Sequence, residues 1–146
     1  MFGVIDAVDR SMSTADAERW YSDLGAGDVV EWVVEADGEF LGTARLHSFN
    51  TSRSRARYAV GLLDPSRLGQ GIGRVVTRLV VAHGFSRLRL EEIELVVLDF
   101  NERARRCYAA CGFQEVERVP SGVVVDQRDA NDILMLITPD ALVSVR

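Results

Sequence analysis

Residues 64–74 read Asp64-Pro65-Ser66-Arg67-Leu68-Gly69-Gln70-Gly71-Ile72-Gly73-Arg74, and what stands on either side of this stretch decides how the chain must fold. Before it, Tyr58 to Leu63 is a short apolar run closed by Asp64-Pro65, and because proline offers no N–H to a sheet ladder the run reads as a strand that ends there. After it, Ile72, Val75, Val76, Leu79 and Val80 recur at i, i+3, i+4, i+7 and i+8, the spacing of a helix with one buried stripe. Glycines at 69, 71 and 73 let the backbone turn between the two and come close to a ligand. The first N–H groups of the helix lack partners and carry partial positive charge, so the junction suits a phosphate. A tight turn would use the same glycines without any ligand. A dinucleotide fingerprint starting at Gly69 would need glycine where Arg74 stands, and a P-loop would need a lysine, which the chain lacks altogether.

Toward the N-terminus, Ser13-Thr14-Ala15-Asp16 resembles a capping box and predicts a helix bearing Trp20, Tyr21 and Leu24 that stops near Gly25 and Gly27. Val29 to Val34 is apolar except for Glu31, and Asp37-Gly38 turns it into a second strand from Phe40 to Phe49. The Arg-rich segment Asn50 to Arg57 is expected to be a turn. Toward the C-terminus, Ile93 to Leu98 is nearly continuously apolar, which predicts a central strand buried on both faces. Asn101 is a plausible N-cap for a helix with the stripe Ala104, Cys107, Tyr108 and Cys111, and Gly112 supplies its stop. Phe113 to Val119 and Ile133 to Ile137 read as two late strands. The order is helix, three strands, helix, strand, helix, two strands: one α/β domain over residues 1–146, a mixed and mostly antiparallel central sheet flanked by helices.

Composition narrows the partners. A formal net charge of −5 over 146 residues repels nucleic acid and anionic membranes, so neither is expected as a partner. No apolar run approaches the roughly 18 residues that span a bilayer, and no signal pattern opens the chain. Cys107 and Cys111 are the only cysteines, and their (i, i+4) spacing suits packing within a helix better than a secreted disulfide framework, which points to the cytoplasm. His47 and His83 stand in no recognised ligand spacing, so no metal is expected.

Two segments together carry a family resemblance. Asn101-Glu102-Arg103-Ala104, then Tyr108, then Gly112-Phe113 resembles, without a gap, the Asn-x-x-Ala-x-x-x-Tyr-x-x-x-Gly-Phe segment of GNAT N-acetyltransferases. The loop resembles that family's acetyl-CoA loop, with Gly71 and Gly73 on its two glycine positions and Leu68 where the family carries Arg or Gln. The stretch from about Trp32 to Val119 further resembles the branch that acetylates ribosomal-protein N-termini, including the run beginning at Phe85. The resemblance implies a GNAT fold with a shortened N-terminal region, acetyl-CoA as acetyl donor and a primary amine as acceptor. The favoured acceptor is a peptide or protein N-terminus. A small amine such as an aminoglycoside or polyamine is the alternative within the same chemistry, and a coenzyme A-binding sensor without turnover is the alternative outside it.

The resemblance also implies roles. Backbone N–H groups of Gly69, Gln70, Gly71, Ile72, Gly73 and Arg74 would hold the pyrophosphate, the Arg67 side chain stands one position from the family's Arg or Gln, and a main-chain N–H near Leu62 or Leu63 would polarise the thioester carbonyl. Asn101 would contact the pantetheine arm, Ala104 would leave room for it, and Tyr108 would lie near the sulfur. A phenol titrates near 10 against about 8.5 for a thiol, so Tyr108 stays protonated at neutral pH and can act as the acid toward a departing thiolate. For the base, Glu31 and Glu94 are the candidate carboxylates, each a single acid in an otherwise apolar strand, with an ordered water relay as the alternative. The family often has a Glu where this chain has Val96. The acceptor pocket is expected to be open, or completed by a second subunit in a homodimer.

Overall fold

The computed structural model describes residues 2–6, 29–36, 38–62 and 71–142. The expected helix bearing Trp20 lies outside the described residues, as do Leu63, Arg67, Leu68, Gly69 and Gln70.

Among the described residues seven strands form one sheet. They are β1 (Phe2–Asp6), β2 (Val29–Ala36), β3 (Glu39–His47), β4 (Arg55–Leu62), β5 (Glu92–Leu98), β6 (Gln114–Val125) and β7 (Arg128–Ile137). Their order is β1-β2-β3-β4-β5-β7-β6, and every neighbouring pair is antiparallel except β4 and β5. Two helices, α1 (Ile72–Ser86) and α2 (Glu102–Cys111), supply the crossover that the one parallel pair requires and the return after it. The mixed, mostly antiparallel sheet read from the sequence is therefore the observed one.

Several boundaries differ, each for a local reason. β1 was not anticipated, because a five-residue segment gains its strand identity from pairing Phe2 to Asp6 with Ala36 to Trp32 rather than from its own pattern. β4 begins at Arg55, inside the expected turn, because the Asn50 side chain closes the turn early by accepting hydrogen bonds from the backbone N–H groups of Ser54 and Arg55. β6 and β7 extend well beyond the expected strands to meet at Asp126-Gln127, both at positive φ, a two-residue hairpin turn without a glycine to announce it.

The core forms where one face of the sheet meets both helices. Trp32, Ala44, Leu46, Tyr58, Ile93, Leu95, Ile133, Met135 and Ile137 pack with Ile72, Val76, Val80 and Val81 of α1 and Cys111 of α2. Side chains of this size stabilise by about 1.5–3 kcal/mol each when fully buried. The buried stripe of α1 runs through Ile72, Val76, Thr77, Val80, Val81 and Gly84, rotated from the expected one, so Leu79 is left 38% exposed. Gly84 sets this rotation: a Cβ there would lie 2.9 Å from Ile93 and 3.1 Å from Leu46. Nor is β5 buried on both faces, for its residues alternate and Val96 is 42% exposed.

Candidate functional site

The parallel pair β4/β5 is registered only at Arg55↔Glu92, Ala56↔Ile93 and Arg57↔Glu94. Beyond those residues β4 runs on to Leu62 paired with β3 alone, while β5 runs on to Leu98 paired with β7 alone. The two strands part like a wedge, and alternate backbone N–H and C=O groups on the inner edge of β4 have no strand opposite them. Backbone groups must find partners, so this seam is prepared to hydrogen-bond an extended ligand.

A cleft of about 830 Å³ occupies the wedge, lined by Val60 of β4, by Gly71, Gly73, Arg74 and Thr77 at the start of α1, and by Asn101 to Ala104, Arg106, Cys107 and Tyr108 of α2. The N-terminus of α1 opens into it. Gly71 caps that helix at φ 77°, a left-handed conformation that disfavours any residue with a Cβ. The first turn carries no acid to compete for its N–H groups, so a phosphate would meet bare helix donors with Arg74 beside them. Gly73 serves a different purpose. A Cβ on it would lie 3.3 Å from the Cys107 sulfur, so glycine here lets α2 approach α1 closely.

Asn101 caps α2, its side-chain oxygen accepting from the Ala104 N–H at 3.3 Å, and the amide's two N–H donors leave it able to face a ligand as well. Gly112 ends the helix at φ 118°, where a Cβ would collide with the Ala141 carbonyl. Tyr108 is wedged edge-on between Tyr58 (centroids 6.3 Å apart) and Phe113 (5.9 Å). Burial pushes its phenol up to about 12, with the neighbouring cysteines adding to the rise. It is therefore protonated throughout the physiological range and still lines the cleft.

The two candidate carboxylates part company. Glu94 lies at the closed end of the seam, where the Arg57 guanidinium donates to it at 3.1 Å, and it does not line the cleft. Glu31 lies on β2, two strands away, opposite Arg45 of β3. It is 3% exposed, and neither of its oxygens has a well-formed hydrogen bond among the described residues. Desolvation raises its pKa to about 7, while the nearby Thr43 side chain and the Arg45 charge pull it down. Neither carboxylate is brought to Tyr108. His47 hydrogen-bonds Ser48 and His83 packs edge-on against Trp32. Among the described residues no helix is long and apolar enough to cross a membrane.

Sequence reasoning missed Val60, Thr77, Glu102, Arg103 and Arg106 as lining residues, and for Cys107 it favoured packing over a covalent acetyl-cysteine role. Thr77 could have been suspected as a polar residue on the buried face of a helix. Arg106 could not, because it reads as an ordinary (i, i+4) ion-pair partner of Glu102, which it also is.

A wedge between parallel strands, a glycine-capped helix N-terminus and a partly buried tyrosine opposite define a class, and the family comparison agrees: the acetyltransferase (GNAT) family matches residues 6–113, so the chain belongs to that family. Its curated relatives include spermidine N(1)-acetyltransferases of Escherichia coli strains K12 and O157:H7, each 29% identical over 106 residues, or 73% of this chain. The chain spans only 56% of the length of those relatives in that match. Among solved structures, a mutant form of the Vibrio cholerae spermidine/spermine N-acetyltransferase superposes with a TM-score of 0.78 over 96% of each chain at 19% identity. The spermidine N-acetyltransferase from the same organism, in complex with CoA and spermine, gives 0.73 over 88% of this chain and 77% of that one at 24% identity. Identities this low show the fold. These relatives are named for a polyamine and do not single out the ribosomal-protein branch that the sequence resemblance favoured. Segments at the cofactor cleft are shared across branches and do not report the acceptor.

Proposed function

We propose that this chain is an acetyl-CoA-dependent N-acetyltransferase that acetylates a primary amine of a small polyamine of the spermidine class, by direct transfer with both substrates bound. The observation that carries the transferase reading is the β4/β5 wedge with Tyr108 on its wall. The polyamine acceptor rests on the curated relatives, and it replaces the peptide N-terminus favoured by the sequence resemblance. The net charge of −5 acts in the same direction, because it draws a polycation toward the molecule.

Acetyl-CoA, when bound, supplies an acetyl group activated as a thioester. The helix start at Gly71 to Arg74 would hold its phosphates, and the exposed guanidinium groups of Arg103 and Arg106 would add positive charge at the cleft mouth. The unpaired inner edge of β4 up to Leu62 would hydrogen-bond the extended arm and offer an N–H to the carbonyl oxygen. Tyr108 would keep its proton until a thiolate leaves and then donate to it. With Glu94 occupied by Arg57 and Glu31 two strands away, the acceptor would lose its proton through solvent rather than to either of these carboxylates.

The test is purified protein with acetyl-CoA and a panel of spermidine, spermine, an aminoglycoside and a peptide with a free N-terminus, followed by release of free thiol. The two polyamines are expected to turn over fastest. A faster peptide would overturn the acceptor, and saturable acetyl-CoA binding with no turnover on any amine would favour a sensor in place of an enzyme.

A further inference from the structure

A chain of polar side chains runs beneath the cleft and ends at a thiol that acetyl transfer leaves unused. Tyr58 and Thr77, both buried, share a hydrogen bond of 3.1 Å that ties β4 to α1. Cys107, half-buried, lines the cleft next to Thr77 and against Gly73. One turn further on, Cys111 is fully buried, with its sulfur 3.7 Å from the Arg74 carbonyl that it donates to. Cys111 is an internal thiol fixed by packing; Cys107 is the one that faces the space where a ligand would lie. Three arginines, 74, 103 and 106, line that same space.

We propose that Cys107 is a nucleophilic thiol on the wall of the cleft that undergoes thiol–disulfide exchange with small anionic disulfides, and that the adduct closes the cleft to the acetyl donor. In this step the Cys107 thiolate attacks one sulfur of the incoming disulfide. The old S–S bond breaks, a new one forms between Cys107 and half of the reagent, and the other half leaves as a thiolate that takes a proton from solvent. Cys107 is oxidised and the departing half is reduced, so the disulfide itself is the only oxidant needed.

The surroundings favour this reaction at Cys107. The Cys111 thiol, the Arg74 and Arg78 charges and the Thr77 hydroxyl together lower its pKa to about 7 against the cost of burial. That ionisation raises the rate at neutral pH only about threefold, because a less basic thiolate is also a weaker nucleophile. The larger selectivity comes from the cleft arginines, which concentrate an anionic reagent. The adduct is also expected to persist. Residues i and i+4 on a helix hold their Cβ atoms about 5–6 Å apart, whereas a disulfide needs about 3.5–4.5 Å, so Cys111 cannot displace the adduct without unwinding α2.

The experiment treats the full chain with coenzyme A disulfide, glutathione disulfide or neutral hydroxyethyl disulfide at low ionic strength, and follows adducts by intact mass and peptide mapping. Expected is one adduct, at Cys107, forming about tenfold faster with the anionic reagents than with the neutral one. Calorimetry should show acetyl-CoA binding lost in the adduct and restored by dithiothreitol. Cys107→Ser should take no adduct, while Cys111→Ser, checked for folding by its melting temperature, should still take it at position 107. Equal rates with neutral and anionic reagents, a rate no greater than that of the urea-unfolded chain, or an adduct that leaves acetyl-CoA binding intact would each overturn the proposal. The closure of the cleft rests on the acetyl-donor reading, and unmodified protein that fails to bind acetyl-CoA would sink that reading while mass spectrometry still decides the thiol chemistry.

Discussion

The closed and open ends of the β4/β5 seam are built from the same two strands and do opposite things. At the closed end the register holds, and it sets Arg55 beside Glu92 and Arg57 beside Glu94 in two ion pairs. At the open end the register is lost, the one acid lining the cleft is Glu102, which Arg106 pairs, and backbone groups, a helix N-terminus and a protonated phenol face one cleft. The lesson is that the site is made by the end of a pairing rather than by a cluster of unusual residues. Changes at the open end should therefore alter binding and turnover, and equally drastic changes at the closed end should alter little.

The largest effect is expected at Tyr108. Tyr108→Phe keeps the ring contacts with Tyr58 and Phe113 but removes the proton, and should lower kcat by about 10²-fold with little change in acetyl-CoA affinity. Undiminished kcat would remove Tyr108 from the chemistry. Next is Gly71→Val, which forces a β-branched residue to φ 77° at the helix start. The strain costs about 1–2 kcal/mol and displaces the N–H groups, so calorimetry should show acetyl-CoA affinity reduced tenfold or more, roughly the equivalent of that strain. A stability loss with unchanged affinity would mean that the ligand does not use the α1 N-terminus.

Glu31 lies outside the seam and makes a third case, a buried acid whose folded pKa, about 7, exceeds the unfolded value of 4.5. Below pH 4.5 the carboxyl is protonated in both states and costs nothing. As pH rises from 4.5 toward 7 the unfolded chain releases the proton first, so stability falls across that window, and the full penalty of up to about 3 kcal/mol remains above it. Glu31→Gln should flatten this part of the denaturation profile and raise stability at pH 8. An unchanged pH profile would show that Glu31 is solvated or paired.

The smallest effect belongs to the closed end. Glu94→Gln breaks a partly exposed pair with Arg57 and should cost within about 1 kcal/mol. Its kcat/KM should change less than threefold, a shift of about 0.6 kcal/mol. A loss comparable to that of Tyr108→Phe would dissolve the contrast between the two ends and return Glu94 to the role of base.

Local chemistry made much of this legible in the sequence. The glycine-capped start of α1 at Ile72 and the Asn101 cap and Gly112 stop of α2 depend on residues within a turn of one another, so they could be read without knowing the fold. The spacing from Asn101 to Phe113 also carried the family. Tertiary structure alone decided the rest. Glu31 and Glu94 look alike as single acids in apolar strands, yet Glu94 is held in a partly exposed ion pair by Arg57 while Glu31 is buried opposite Arg45 with its pKa raised by desolvation, because strand register and burial choose their surroundings. The buried stripe of α1 includes Gly84, where the sheet packs too close for a Cβ, and Cys107 lines the cleft where Gly73 lets the two helices approach. A one-dimensional pattern can say that a helix has an apolar side, but which atoms that side meets, and where two parallel strands cease to pair, depend on packing between segments far apart along the chain.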